Sequence, residues 1–140
     1  MIVGNNEIGI NGARALAAAL SHVAVKVLDV ASNRIGDDGA RALAATLQHV
    51  PGLKELSVGK NRYGDDGART LAAALSHVPG LEMLSVGGNR IGADGARALA
   101  AVLQHVAGLE KLSVGGNPQR RRRRVRARRR TAARARAEVA

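Results

Sequence analysis

The sequence predicts an α/β solenoid, with one sheet of short parallel strands along one side and a row of helices along the other. Three observations carry this. Asn33, Asn61, Asn89 and Asn117 recur every 28 residues, and Asn6 precedes Asn33 by 27. A fixed period in this range is the mark of stacked, near-identical units. Within each period a short stretch alternates, as in Leu53-x-x-Leu56-x-Val58, so that Leu56 and Val58 turn one face inward as a strand. Farther along, Ala68, Leu71, Ala72 and Leu75 fall at helical spacing and make a single apolar stripe. Strand and helix in repeated alternation require parallel strands joined by crossover helices.

The elements follow in order. A remnant strand is expected at Ile2–Val3, then strands near Lys26–Val30, Lys54–Val58, Glu82–Val86 and Glu110–Val114. Helices are expected near Gly12–Ser21, Asp38–Gln48, Asp66–Ser76 and Asp94–Gln104. The first period is one residue short because Ala24 stands where later copies carry Pro51-Gly52, Pro79-Gly80 and Ala107-Gly108. Paired strands lie ~4.8 Å apart, whereas packed helices need ~8–10 Å. The stack therefore fans out on the helix side and curves into a horseshoe segment, strands concave and helices convex. Tyr63 is the only aromatic, so the core is built from Leu, Val, Ile and Ala.

The repeat LxxLxVxxNxIGxxGAxALAxxL resembles leucine-rich repeats of the ribonuclease-inhibitor-like kind. Its GARALA segment is similar to the GALA-type repeats of bacterial plant-pathogen effectors. The resemblance covers Ile2 to Asn117 and implies a leucine-rich repeat solenoid of about four repeats over residues 1–117. It also implies a non-catalytic scaffold for protein–protein interaction. Solenoids carry terminal caps with a polar outer face, and none is visible. The array thus reads as a fragment of a longer one, and its Leu and Val layers predict end-to-end self-association.

Charge divides the chain at Pro118. The whole carries +11, but residues 1–117 hold eleven Lys plus Arg against ten Asp plus Glu. Residues 118–140 hold eleven Arg and one acid, Glu138. The absence of cysteine excludes a disulfide framework and a thiolate metal site. The N-terminus, MIVGNNEIGINGAR, lacks a basic segment leading into an apolar run, so no signal peptide is read there. No apolar run is long enough to span a bilayer. These features point to the cytoplasm, or to the nucleus if the arginine tail is genuine, and to no membrane partner.

Residue types that invite chemistry have plainer readings. An Asn closing each strand is expected to bond the backbone of the turn after it, forming a structural ladder of Asn33, Asn61, Asn89 and Asn117. His22, His49, His77 and His105 occupy one place per repeat, so neighbours lie ~8–10 Å apart, too far to share a metal ion whose nitrogens must be ~2 Å away. Asp37/Asp38, Asp65/Asp66 and Asp94 open the helices, where carboxylates cap amides and complement the dipole. Gly12, Gly39, Gly67 and Gly95 precede Ala in the first helical turn, where close packing explains them better than phosphate binding. No triad, metal set or phosphate loop supports catalysis, and no cofactor is expected.

Binding is expected on the concave strand face, where repeat proteins commonly bind. Its outward positions are Val27, Glu55, Met83 and Lys111, then Asp29, Ser57, Ser85 and Ser113, with Gly-rich turns beyond. A basic row follows at Arg34, Arg62 and Arg90. The candidate partner-binding residues are this row with Asp29, Glu55, Lys60 and Lys111.

The tail admits two readings. Taken as written, Gln119 to Arg130 is a polycation, disordered or a marginal helix, able to bind nucleic acid or an acidic partner. It offers no aromatic to stack on bases. The repeat also stops at Asn117, where Arg-Ile-Gly-Ala-Asp-Gly-Ala is due. The GC-rich codons AAC CGC AGC GGC GCC GAC GGC GCG encode Asn-Arg-Ser-Gly-Ala-Asp-Gly-Ala. One C inserted after AAC turns them into AAC CCG CAG CGG CGC CGA CGG CGC, which encodes Asn117 to Arg124. The codons allowed by Arg126 to Glu138 can likewise spell Ala-Leu-Ala-Ala-Ala-Leu-Gln-His-Val-Pro-Gly-Leu-Lys, the repeat in register. Only Gln119 and Val125 cannot restore the usual Ile and Arg. The tail is therefore expected to be the next repeat read out of frame.

Overall fold

A computed structural model describes residues 1–20 and 22–117. Leucines of the repeat set its geometry. Leu28, Leu56, Leu84 and Leu112 sit at the centre of four three-residue strands, β1 (Val27–Asp29), β2 (Glu55–Ser57), β3 (Met83–Ser85) and β4 (Lys111–Ser113), and all are buried. The strands form one parallel sheet in chain order. Register is set by the period: Leu28 pairs with Leu56, Leu56 with Leu84, and Leu84 with Leu112. The strands are shorter than the alternation suggested, yet backbone pairing continues past them, with Val30, Val58 and Val86 amides donating to Ser57, Ser85 and Ser113 carbonyls at 2.8–2.9 Å. The expected N-terminal remnant is a single parallel bridge between Ile2 and Asp29.

Between strands run α1 (Gly9–Leu20), α2 (Gly36–Thr46), α3 (Asp65–Ala74) and α4 (Ala93–Leu103). Each helix packs on the next. Alanine on the shared faces, such as Ala40, Ala68 and Ala72, keeps the row close and is buried. α2 and α3 do not run to Gln48 and Ser76 as α-helix. Their last turns tighten to 3₁₀ over Leu47–His49 and Leu75–His77. This winding draws Leu47 and Leu75 into the core, and 3₁₀ turns are common helix endings. Burying each such leucine contributes ~1.5–3 kcal/mol.

Ile35, Tyr63 and Ile91 fill equivalent core places behind the strand-end turns. Tyr63 takes the slot that Ile35 and Ile91 hold in the neighbouring repeats. Among the described residues its buried hydroxyl has no hydrogen-bond partner. Burial first, and then the nearby Asp37 charge, raise its ionisation far above the usual phenol range.

Candidate interaction surface

Two polar devices tie the repeats together and shape the turns that rim the strand face. The first is the asparagine column. Asn61 Nδ2 donates to Val58 O and Gly59 O at 3.1 Å and to Val30 O of the preceding repeat at 2.9 Å. Its Oδ1 accepts the Asn33 amide at 2.8 Å. Asn89 Oδ1 likewise accepts the Asn61 amide at 2.8 Å and the Tyr63 amide at 3.1 Å. The side chain therefore does not bond the turn after it, as the local reading expected. It satisfies the strand-end carbonyls before it and the turn of the repeat behind it. A fully buried carboxamide must find all its partners within the stack, and those are the backbone groups in reach.

The second device is aspartate, and here the local reading is corrected. Asp37 and Asp65 make no side-chain cap on their own helices. Asp37 Oδ1 accepts the amides of Gly64 and Gly67 at 2.8 and 2.9 Å, capping α3 one repeat on. Asp65 Oδ1 caps α4 through Gly92 and Gly95 at 2.7 and 2.9 Å. Helix stacking brings each carboxylate beside the orphan amides of the next helix, which is where a cap stabilises. Gly95 makes room for this, since a Cβ there would lie 2.7 Å from Asp65 Oδ1 and 2.9 Å from the Ala68 Cβ. Asp38, Asp66 and Asp94 instead pair with Arg41, Arg69 and Arg97 at 2.8–3.0 Å on the exposed helix face.

On the strand side lies a shallow trough of about 390 Å³. Ser57, Ser85 and Ser113 line it with the turn residues Gly59, Gly87 and Gly115, and Lys60 is its one charged lining residue. The glycines answer to backbone packing: a Cβ at Gly59 would lie 2.9 Å from Gly87 O, and one at Gly87 would lie 2.8 Å from Gly115 O. Glu55, half-buried Met83 and Lys111 stand in one row across the sheet. Asp29 heads the serine row, and its Oδ1 accepts the Ala31 amide at 3.0 Å. Arg34 pairs with Glu7 at 3.0 Å. Arg62 and Arg90 are exposed and, among the described residues, have no ion-pair partner. Of the cations expected on this face only Lys60 lines the trough, Arg62 and Arg90 follow in the turns after β2 and β3, and Glu55 and Lys111 stand on the strands. Sequence reading missed the exposed pair Lys54–Glu82, 3.7 Å apart across neighbouring strands, whose charges were visible at one repeat position.

His22, His49, His77 and His105 are exposed. No cluster of metal-ligating side chains is present among the described residues. Among these residues no helix is long and apolar enough to cross a membrane. The arginine tail, 118–140, lies outside the described residues.

The Leucine Rich repeat family profile matches residues 25–44 and 81–100. A solved structure of leiomodin-1 actin-binding site 2 (ABS2) resembles this fold with a TM-score of 0.79, covering 96% of this chain and 79% of that one at 22% identity. No curated protein matches the chain. The parallel sheet in chain order, the stacked helices and these matches define a leucine-rich repeat solenoid.

Proposed function

We propose that this chain is a protein-interaction scaffold that holds an extended, acidic partner segment along its concave strand face. The carrying observation is the serine-floored trough lined by Lys60, with Arg62 and Arg90 exposed in the turns that follow β2 and β3; none of these three cations has an ion-pair partner among the described residues. The floor is too smooth for bulky anchors, so these charges and backbone-sized contacts on the floor set the fit. Asp29, Glu55 and Lys111 flank the site and fix polarity along the sheet. The repeats themselves sit nearest the ribonuclease-inhibitor-like, GALA-type kind on the GARALA segment. The leiomodin structure carries a protein-binding site in its name, which supports the scaffold reading without extending its partner to this chain.

A fluorescein-labelled Glu/Ser peptide tests this by anisotropy. Replacing Lys60, Arg62 and Arg90 together by Ala is expected to weaken binding by about tenfold, since three charges at a fraction of a kcal/mol each sum to roughly that factor. Binding that survives this change but is lost when the tail arginines become Gln would place the anionic site in the tail and overturn the proposal.

A further inference from the structure

The same repeat positions are sealed in the third copy and open in the fourth. Leu75, Ala72 and Val86 are buried, whereas their counterparts Leu103, Ala100 and Val114 are only half-buried. The backbone is open on the same side. Val58 and Val86 amides donate forward to the next strand at 2.9 and 2.8 Å, but among the described residues no strand follows to take the Val114 amide. This is one half of the interface that already joins every adjacent pair of repeats.

The fold is still in register at the last described residue. Asn117 Nδ2 donates to Val114 O and Val86 O at 2.9 and 3.1 Å, and its Oδ1 accepts the Ile91 amide at 3.0 Å. The next residue breaks the pattern in chemistry as well as sequence. From Arg120 to Arg130 only Val125 and Ala127 are apolar. Guanidinium groups set against Leu103 and Val114 would have to be desolvated without partners, which is costly. The segment that follows does not suit the face it follows.

We infer that the open face of β4 and α4 is the seat of a fifth repeat, and that residues 118–140 are that repeat read one base out of frame. The break falls one residue after the asparagine column, at the position where a single inserted base converts Arg-x-Gly-Ala-Asp-Gly-Ala into Pro118 through Arg124. The restored segment supplies an apolar stripe at helical spacing to cover Leu103 and Ala100. It then reaches the Leu-Lys that opens the next strand. Ala93 stands where Asp37 and Asp65 stand earlier, so the restored helix would begin without a carboxylate cap, as α2 does.

The coding DNA is the first test. Removing one base at codon 118 is expected to open a frame that reads through a complete repeat; a stop codon or a non-repeating frame there overturns the inference. The second test compares the chain as written with the chain from the corrected gene. The corrected chain is expected to melt about 5 °C higher or more, and its Val114 amide to exchange with solvent at least about tenfold more slowly, as an interior repeat's amide does. Equal melting and equal Val114 exchange in the two chains would sink the proposal. So would a Val114 amide already protected in the chain as written, with protection that grows with protein concentration, because a second copy would then occupy the face.

Discussion

The turn that opens α2 and the turns that open α3 and α4 are built from the same motif, yet they solve the same problem in opposite directions. Each contains a glycine whose amide needs a partner. In the α2 turn Gly36 adopts φ +70° and donates forward to the Asn61 carbonyl at 2.8 Å. In the later turns Gly64 and Gly92 are extended, with φ −94° and −92°, and donate backward to Asp37 and Asp65. The difference traces to one residue in the preceding repeat: Ile10 stands where Asp37 and Asp65 stand. A carboxylate in that place captures the glycine amide and holds the turn extended. An isoleucine cannot accept, so the glycine swings into the left-handed region and bonds the repeat ahead. Neighbouring coils therefore set each other's turn geometry, and a repeat's conformation is not written in that repeat alone.

The asparagine column underlies both kinds of turn, so its loss is expected to have the largest effect. Asn89 serves the column through the Asn61 amide and the backward turn through the Tyr63 amide. Asn89→Ala leaves several buried backbone groups unpaired and should cost about 4 kcal/mol, at ~1–3 kcal/mol for each group left unsatisfied, read as a fall in the urea midpoint. Removing the aspartate cap acts on one turn only. Asp37→Ala is expected to cost about 2 kcal/mol and to speed hydrogen exchange at the Gly64 and Gly67 amides while leaving Gly36 unchanged. An Asp37→Ala chain in which Gly64 exchange does not move would show that the backward bond does not hold that turn.

A smaller and sharper test exchanges one kind of turn for the other. Gly36→Ala meets no atom within 4 Å, but its positive φ strains any residue with a Cβ, at roughly 1 kcal/mol. Ile10 is 39% exposed, so Ile10→Asp gives up part of its burial, a cost that the single mutant reports by itself. In that background the carboxylate should draw Gly36 into the extended form, where alanine is accepted. The double mutant Ile10→Asp/Gly36→Ala is then expected to be more stable than the sum of its single changes by about 1 kcal/mol. Simple additivity in thermal unfolding would mean that Ile10 does not choose the turn.

What the sequence made legible follows from the range of each interaction. The 28-residue period and the Leu56/Val58 alternation placed every strand, and the Ala68-Leu71-Ala72-Leu75 stripe placed its helix, because burial of a face is a local pattern. The direction of Asp37 was not legible. Its carboxylate meets amides 27 and 30 residues on, and a window around Asp37 shows only a helix start that its own carboxylate could serve. The column was seen as a column, but its bonds run mostly across it, which spacing alone does not reveal. One signal did lie in plain view: Ile10, Asp37, Asp65 and Ala93 occupy a single repeat position, and the variation there matches the two kinds of turn. On the strand face, the row Arg34, Arg62, Arg90 was read as one row, whereas Glu7 occupies Arg34 and, among the described residues, Arg62 and Arg90 have no ion-pair partner.

The smallest expected effect at neutral pH belongs to Tyr63, which sits in the isoleucine slot of the first backward turn. Its phenol is buried without a partner, and the Asp37 carboxylate that caps α3 adds a negative charge nearby. Both raise its ionisation above that of the unfolded chain, near 10 for an unperturbed tyrosine. The neutral phenol is therefore the folded form. Its contribution is fully present below pH ~10 and is lost as pH climbs from there toward the folded value, because only the unfolded chain gives up the proton. The loss runs at about 1.4 kcal/mol per pH unit in that window. Tyr63→Phe removes the unpaired hydroxyl, so it should match or exceed the parent by up to about 1 kcal/mol at pH 7. Above pH 10 its advantage should widen at the stated slope, read as the difference between the two chains so that lysine titration cancels. A constant difference across that range would show that the phenol ionises freely in the folded state, and that the backward turn at α3 is more open than its bonds imply.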